Sequence, residues 1–276
     1  MEYYQFLFEG IPNDKRDILV ALLNDIGFTG FEEADDSLKA FINIADLDQN
    51  DLDVVIATTD AKYSRSIIQE INWNEKWETS FEPVTVFEPG TAVPFVYVRA
   101  AFHQADTNAK IDIVITPKMS FGTGHHATTY LMAEQMSQID FKNKTVIDFG
   151  TGTAVLAILA EKLGAANIIA IDNDDWSINN ARENITANNC RHITLVRAET
   201  IDTAEKAAVI LANINLNIIT ANLSVIKAAA EPAATLLFSG IMLHDEPLII
   251  SALKTAGIEI KEILYKNGWL AILTKS

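Results

Sequence analysis

The sequence predicts an α/β protein: a large, mainly parallel sheet flanked by helices, with a small α+β domain in front of it. Three observations carry that expectation. From residue 118 onward, apolar β-rich runs alternate with runs of helical period, as in sheets built from βαβ units. Within that region a fully apolar strand enters a turn with two glycines and leaves it as an apolar helix. The first 72 residues instead follow the order strand, helix, strand, strand, helix, strand.

The elements justify themselves in order. Residues 3–9 read as a strand. Pro12-Asn13-Asp14 opens a helix in which Ile18, Leu19, Leu22, Leu23 and Ile26 recur at helical spacing, and Gly27 ends it. Short strands at 28–33 and 38–44 flank Asp35-Asp36-Ser37. A helical stretch at about 50–59 and a strand at 65–71 follow. This order suggests a ferredoxin-like domain over residues 1–72. A connecting region, 73–116, comes next. Trp73 and Trp77 in Trp73-Asn74-Glu75-Lys76-Trp77 are four apart, so they share one helical face, and packing is the simpler role for them. Segments 83–88, 93–102 and 111–115 are β-rich, with Pro89-Gly90 as a turn.

The third part is 117–276. Its expected strands are 145–149, 167–171, 193–197, 208–212, 234–239, 257–263 and 268–273. Its expected helices are about 127–138, 153–163, 175–188, 216–229 and 245–255. Seven strands ending in a hairpin at Asn267-Gly268 are what a class I (Rossmann-like, seven-stranded) methyltransferase fold would show.

Composition narrows the class of function. The chain has 276 residues and is 49% hydrophobic, an ordinary globular balance. No apolar run is long enough for a membrane span, and the N-terminus lacks the pattern of a secretory signal. A single cysteine, Cys190, cannot form an internal disulfide, which fits a reducing, cytoplasmic compartment. Net charge is −16, and residues 1–60 alone hold 14 acids against 3 bases. Direct nucleic-acid binding through phosphates is not expected of such a chain. The acidic region could steer a basic partner, or simply keep the protein soluble.

The central turn carries the chemistry. Thr145-Val146-Ile147-Asp148-Phe149 is the strand, Gly150-Thr151-Gly152 the turn, and Ala154 to Leu163 the helix. Glycines allow the tight turn and a close ligand approach, and the helix start offers free N–H groups. A dinucleotide fingerprint would place a third glycine where Val155 stands. No Gly-Lys-Ser/Thr phosphate loop occurs. A second strand, Ile168 to Ile171, ends at Asp172, whose carboxylate could accept from both ribose hydroxyls. That acid suits NAD as well. Asp148 leans toward S-adenosylmethionine, whose positive amino-acid end it could help hold, or it is a satisfied turn residue.

Two further segments matter. Upstream, Met119-Ser120-Phe121-Gly122-Thr123-Gly124-His125-His126-Ala127-Thr128-Thr129 could fold over a cofactor. Its adjacent histidines lack a surrounding ligand pattern, so no metal site is expected. Downstream, Ala208 to Ala212 is an apolar strand ending in Asn213. That amide could accept from an amine substrate, or Asn213 could cap the next helix.

Together these segments resemble the PrmA family, the bacterial methyltransferases of large-subunit ribosomal protein L11. Phe121 to Thr129, Val146 to Gly152, Asp172 and Ala212-Asn213-Ile214 occupy the family's motif positions. Trp73 to Trp77 and Leu237-Phe238-Ser239-Gly240-Ile241 also look like family features, and the resemblance covers most of 70–276. Ala127 stands where the family usually has proline, Thr153-Ala154 where Ser-Gly is usual, and Asn215 is atypical. The resemblance implies S-adenosylmethionine as cofactor, with Thr129, Gly150, Asp172 and Asn213 as contacts, joined by Asp148 and Gly152 from the reading above. It implies N-methylation of lysine side chains and the N-terminal amine of a basic ribosomal protein, positioned by the N-terminal domain. Asn213 is the candidate for orienting that amine. A related methyltransferase with another protein or small-molecule substrate, and a non-catalytic cofactor-binding ribosome-associated protein, are the alternatives. An NAD-linked oxidoreductase is disfavoured by Val155.

Overall fold

The computed structural model describes residues 2–11, 13–34, 37–69, 81–116 and 126–276. The Trp73–Trp77 element and the Met119–His125 part of the upstream loop lie outside these residues. The chain divides into two compact units, Met1–Lys76 and Trp77–Ser276.

The smaller unit runs β1 (Glu2–Glu9), α1 (Asn13–Asp25), β2 (Gly30–Ala34), β3 (Ser37–Asn43), α2 (Gln49–Thr59) and β4 (Tyr63–Gln69). Its sheet is antiparallel in the order β2-β3-β1-β4, so each strand–helix–strand crossover skips one strand. Strand alternation drives this packing. Leu38, Ala40 and Ile42 of β3 are buried while their neighbours are less so. They meet Phe6 and Phe8 of β1, Leu19 and Leu23 of α1, and Leu52 and Val55 of α2 in one core. Asp48 caps α2, its carboxylate accepting from Asn50 N at 2.8 Å.

The larger unit opens with a three-stranded sheet of β5 (Val84–Phe87), β6 (Pro94–Ala100) and β7 (Ile111–Ile115), in which β7 is an edge. There follow α3 (Ala127–Met136), β8 (Thr145–Phe149), α4 (Val155–Lys162), β9 (Asn167–Asp172), α5 (Asp175–Ala187) and β10 (Ile193–Arg197). The chain ends with β11 (Ala207–Asn213), α6 (Leu216–Ala229), β12 (Ala230–Met242), α7 (Glu246–Thr255), β13 (Glu259–Lys266) and β14 (Trp269–Lys275). The seven-stranded sheet has the order β10-β9-β8-β11-β12-β14-β13. Its first five strands are parallel, and β14 is antiparallel to both neighbours.

The central strands are apolar because helices cover both faces. Val146, Ile168, Ala170, Val209 and Leu211 pack with α3, α4 and Ala181 of α5. Their alternate neighbours Ile147, Ile169, Ile171 and Ile210 pack with α6 and α7. The chain reverses direction of growth between β8 and β11, so a crevice opens beyond their carboxyl ends. Asn267 and Gly268 both have positive φ and form the tight hairpin turn between β13 and β14.

One element is much longer than its pattern suggests. The strand expected at 234–239 extends over Ala230–Met242. It absorbs a register shift opposite Ala207–Val209 and a second one between Phe238 and Ile241. The second shift falls on Ser239-Gly240 and turns Gly240 into the left-handed region, φ +83°. Among the described residues no helix is long and apolar enough to cross a membrane.

Candidate active site

A cavity of about 390 Å³ lies at the carboxyl ends of β8, β9, β10 and β11. This is the size of a small-molecule site, at the position where open α/β sheets bind ligands. Gly150 and Gly152 form part of its wall, with Asp172, Asn213 and Trp269.

The turn after β8 is held by its own hydrogen bonds. Gly150 N and Thr151 N both donate to Ile171 O, at 2.8 and 2.9 Å. Gly152 N donates to Asp172 Oδ2 at 2.9 Å, and Asp174 N donates to Asp172 Oδ1 at 3.1 Å. Each Asp172 oxygen retains a second lone pair for a ligand hydroxyl. Glycine is obligatory at Gly150: its φ is +77°, and a Cβ there would lie 2.1 Å from Ile214 Cγ2. Gly240 closes the same corner, since its Cβ would lie 2.3 Å from Ile214 O. Ile214 is thus wedged between two glycines that are distant in sequence.

Asp148 lies behind this wall. Strand period puts it on the same side of β8 as Val146, beneath α4. It is 1% exposed, and its Oδ2 accepts from the Thr151 hydroxyl at 2.6 Å. Burial pushes its carboxyl up to about 6, against the pull of the Thr151 hydroxyl and the Ala157 N–H, while the Asp172 charge pushes the same way as burial. Its Oδ1 is buried without a hydrogen-bond partner.

Asn213 ends β11 and is 7% exposed. Its Nδ2 donates to Thr129 Oγ1 at 3.3 Å, joining two expected site residues that lie 84 positions apart. Its Oδ1 is buried and unpartnered. The helix-capping role falls instead to Asn215, whose Oδ1 accepts from Ile218 N at 3.0 Å. This accounts for a second asparagine two residues after the first.

Thr129 itself stands behind the wall, on the first turn of α3. His126 caps that helix through Nδ1, beside the Thr128 hydroxyl at 2.8 Å, and its ring meets Trp269 edge-on at 4.7 Å. Burial lowers the pKa of His126. Cys190 is no candidate nucleophile, because burial pushes its thiol up to about 11.

The cavity's electrostatics favour a cationic ligand. Asp172 and Glu199 line it, with no Lys, Arg or His among the described lining residues. A dinucleotide pyrophosphate would meet carboxylates there, whereas a sulfonium and an ammonium would be attracted. The buried, unpartnered carbonyl oxygen of Asn213 adds to the same preference. In the sequence Ile214 and Gly240 stand out only as motif residues, without a role at the site, and Glu199 and Trp269 do not stand out at all. Glu199 follows the carboxyl end of β10 and Ile214 that of β11, so the strand-edge rule could have found both.

Strand order, glycine turn and acidic crevice define the class: a class I S-adenosylmethionine-dependent methyltransferase. The chain belongs to the ribosomal protein L11 methyltransferase (PrmA) family, whose profile matches residues 19–276. The ribosomal protein L11 methyltransferase of Porphyromonas gingivalis is 36% identical over 93% of this chain and 89% of its own length. That of Phocaeicola vulgatus is 34% identical over 99% and 98%. The crystal structure of ribosomal protein L11 methylase from Lactobacillus delbrueckii subsp. bulgaricus matches with a TM-score of 0.62 at 26% identity. That match covers 70% of this chain and 98% of the other.

Proposed function

We propose that this protein methylates amino groups of ribosomal protein L11, on lysine side chains and the N-terminal amine. One observation supports the amine chemistry above the others: the buried, unpartnered carbonyl of Asn213 at the cavity wall. With its nitrogen engaged by Thr129, the amide has its acceptor free.

S-adenosylmethionine supplies a methyl group already activated on a sulfonium. The chain's own residues bind, orient and exclude water. Asp172 accepts from the ribose hydroxyls with its spare lone pairs. Gly150 and Gly152 let the backbone come close. Asp148 acts through Thr151, holding the turn and biasing the site toward positive charge. Asn213 Oδ1 accepts one N–H of the incoming amine, so that its lone pair faces the cavity. The apolar side chains of Ile214 and Trp269 help keep water from the reacting amine. No covalent enzyme intermediate is needed.

The acidic N-terminal unit, residues 1–72, is read as the substrate-recognition domain, since a basic ribosomal protein complements its charge. A cytoplasmic location and independence from direct nucleic-acid contact go with this reading. The test is mass spectrometry of ribosomal proteins from cells with and without the gene. L11 is expected to lose methyl groups when the gene is deleted. An unchanged L11 mass would contradict the substrate assignment.

A further inference from the structure

Strand β7 is the free edge of its three-stranded sheet, so the N–H groups of Val114 and Thr116 need partners. Helix α5 and its C-cap supply them with two asparagines one turn apart. Asn188 Oδ1 accepts from Val114 N at 2.9 Å, and its Nδ2 donates to Val114 O at 2.6 Å. Asn184 Oδ1 accepts from Thr116 N at 2.8 Å. The spacings match, because residues two apart on a strand edge and four apart on a helix each point the same way.

Asn184 does something that Asn188 does not. Its Nδ2 donates to Thr153 O at 2.9 Å and to Asn180 Oδ1 at 2.7 Å. Both N–H groups and the carbonyl oxygen of this fully buried amide are therefore engaged. Thr153 is the hinge of the glycine turn, followed by Ala154 at φ +62°, a conformation that disfavours any residue with a Cβ. Thr153 O is held from outside the turn by a side chain 31 residues away.

We infer that Asn184 is a positioning residue for the cofactor turn, locking Thr153 and the end of β7 into one arrangement. Asn188 grips the same strand without touching the turn, so it serves as the internal control. The inference rests on the cavity being the cofactor site, and Asp172→Ala tests that reading separately.

The experiment compares Asn184→Ala, Asn184→Asp, Asn188→Ala and Asp172→Ala in the full chain. It measures the Kd for S-adenosylhomocysteine by calorimetry and Tm by thermal melting. Asn184→Ala is expected to weaken binding about tenfold or more, whereas Asn188→Ala stays within about threefold at a comparable loss of Tm. Asn184→Asp keeps the acceptor for Thr116 and removes the amide donor to Thr153, so it too should weaken binding about tenfold. This isosteric variant also decides the matter if the alanine variant does not fold. Wild-type affinity in Asn184→Asp would overturn the inference, as would equal weakening in the Asn184→Ala and Asn188→Ala variants. If Asp172→Ala binds as wild type, the cofactor-site reading fails instead.

Discussion

The turn after β8 and the turn after β11 touch at Gly150 and Ile214, yet they treat their polar groups in opposite ways. The first turn is held by a dense set of hydrogen bonds. Ile171 O takes two of its N–H groups, Asp172 takes a third, Asp148 holds its threonine and Asn184 holds its last carbonyl. The second turn leaves a buried carbonyl open on Asn213, while Asn215 attends to the helix. A site that binds by shape needs the first kind of turn, since a preorganised backbone loses little on binding. A site that orients a reacting group needs the second kind, because an open acceptor costs free energy until that group arrives. On the proposed function, holding and aligning fall to different crossovers of one sheet.

The contact between the two turns is the place to break both at once. Gly240→Ala should be the most damaging change. Its methyl meets the Ile214 backbone carbonyl, and the residue sits at positive φ. Steric overlap and backbone strain together should cost about 3 kcal/mol or more, read as a drop in denaturation midpoint and loss of S-adenosylhomocysteine binding. Asp172→Ala acts on the holding turn alone. It strands the Gly152 N–H and removes the proposed acceptor for ribose hydroxyls, so the Kd for S-adenosylhomocysteine should rise about tenfold to a hundredfold. The fold should survive, by circular dichroism.

A subtler difference is electrostatic. The carboxyl of Asp148 is raised from 3.8 to about 6, so the folded protein holds this proton more tightly than the unfolded chain does. Asp148 therefore favours the fold fully at low pH and loses that contribution as pH climbs from about 4 through about 6. Asp148→Asn has no such proton. Its stability relative to wild type should improve by about 1 kcal/mol between about pH 5 and pH 7, measured by urea denaturation. A flat difference across that range would remove burial of a charge from the account. The smallest effect is expected at Ala154→Gly. Relief of the left-handed strain, about 1 kcal/mol, is nearly offset by loss of a buried methyl worth about 0.8 kcal/mol. The net shift should be under about 1 kcal/mol by the same method.

Much of this was legible in the sequence, and the reason differs by element. Helices α5 and α6 follow from their composition and flanking signals. Strands β8, β9 and β11 follow from unbroken apolar runs that only a two-sided burial explains. Gly150, Gly152 and Asp172 were legible because their spacing along one βαβ unit fixes their spacing in space. What stayed hidden depends on contacts between distant segments. Nothing local tells that β12 carries a bulge at Gly240, because the bulge serves Ile214. The sequence leaves Asn213 as either an acceptor at the sheet edge or a helix cap, and only the fold shows that it turns inward while Asn215 does the capping. Asp148 could be placed in the turn by position, but the strand's facing sends its carboxylate under α4 rather than into the wall. Asn184 and Asn188 look like ordinary helix polar residues until β7 is laid beside them.

The division between holding and aligning is tested most directly at Asn213. The measurement pairs calorimetric binding of S-adenosylhomocysteine with single-turnover transfer of labelled methyl to purified L11, for wild type and Asn213→Ala. The account predicts binding within about threefold of wild type and transfer slowed by about tenfold to a hundredfold. Transfer at the wild-type rate, with or without a change in binding, would contradict it.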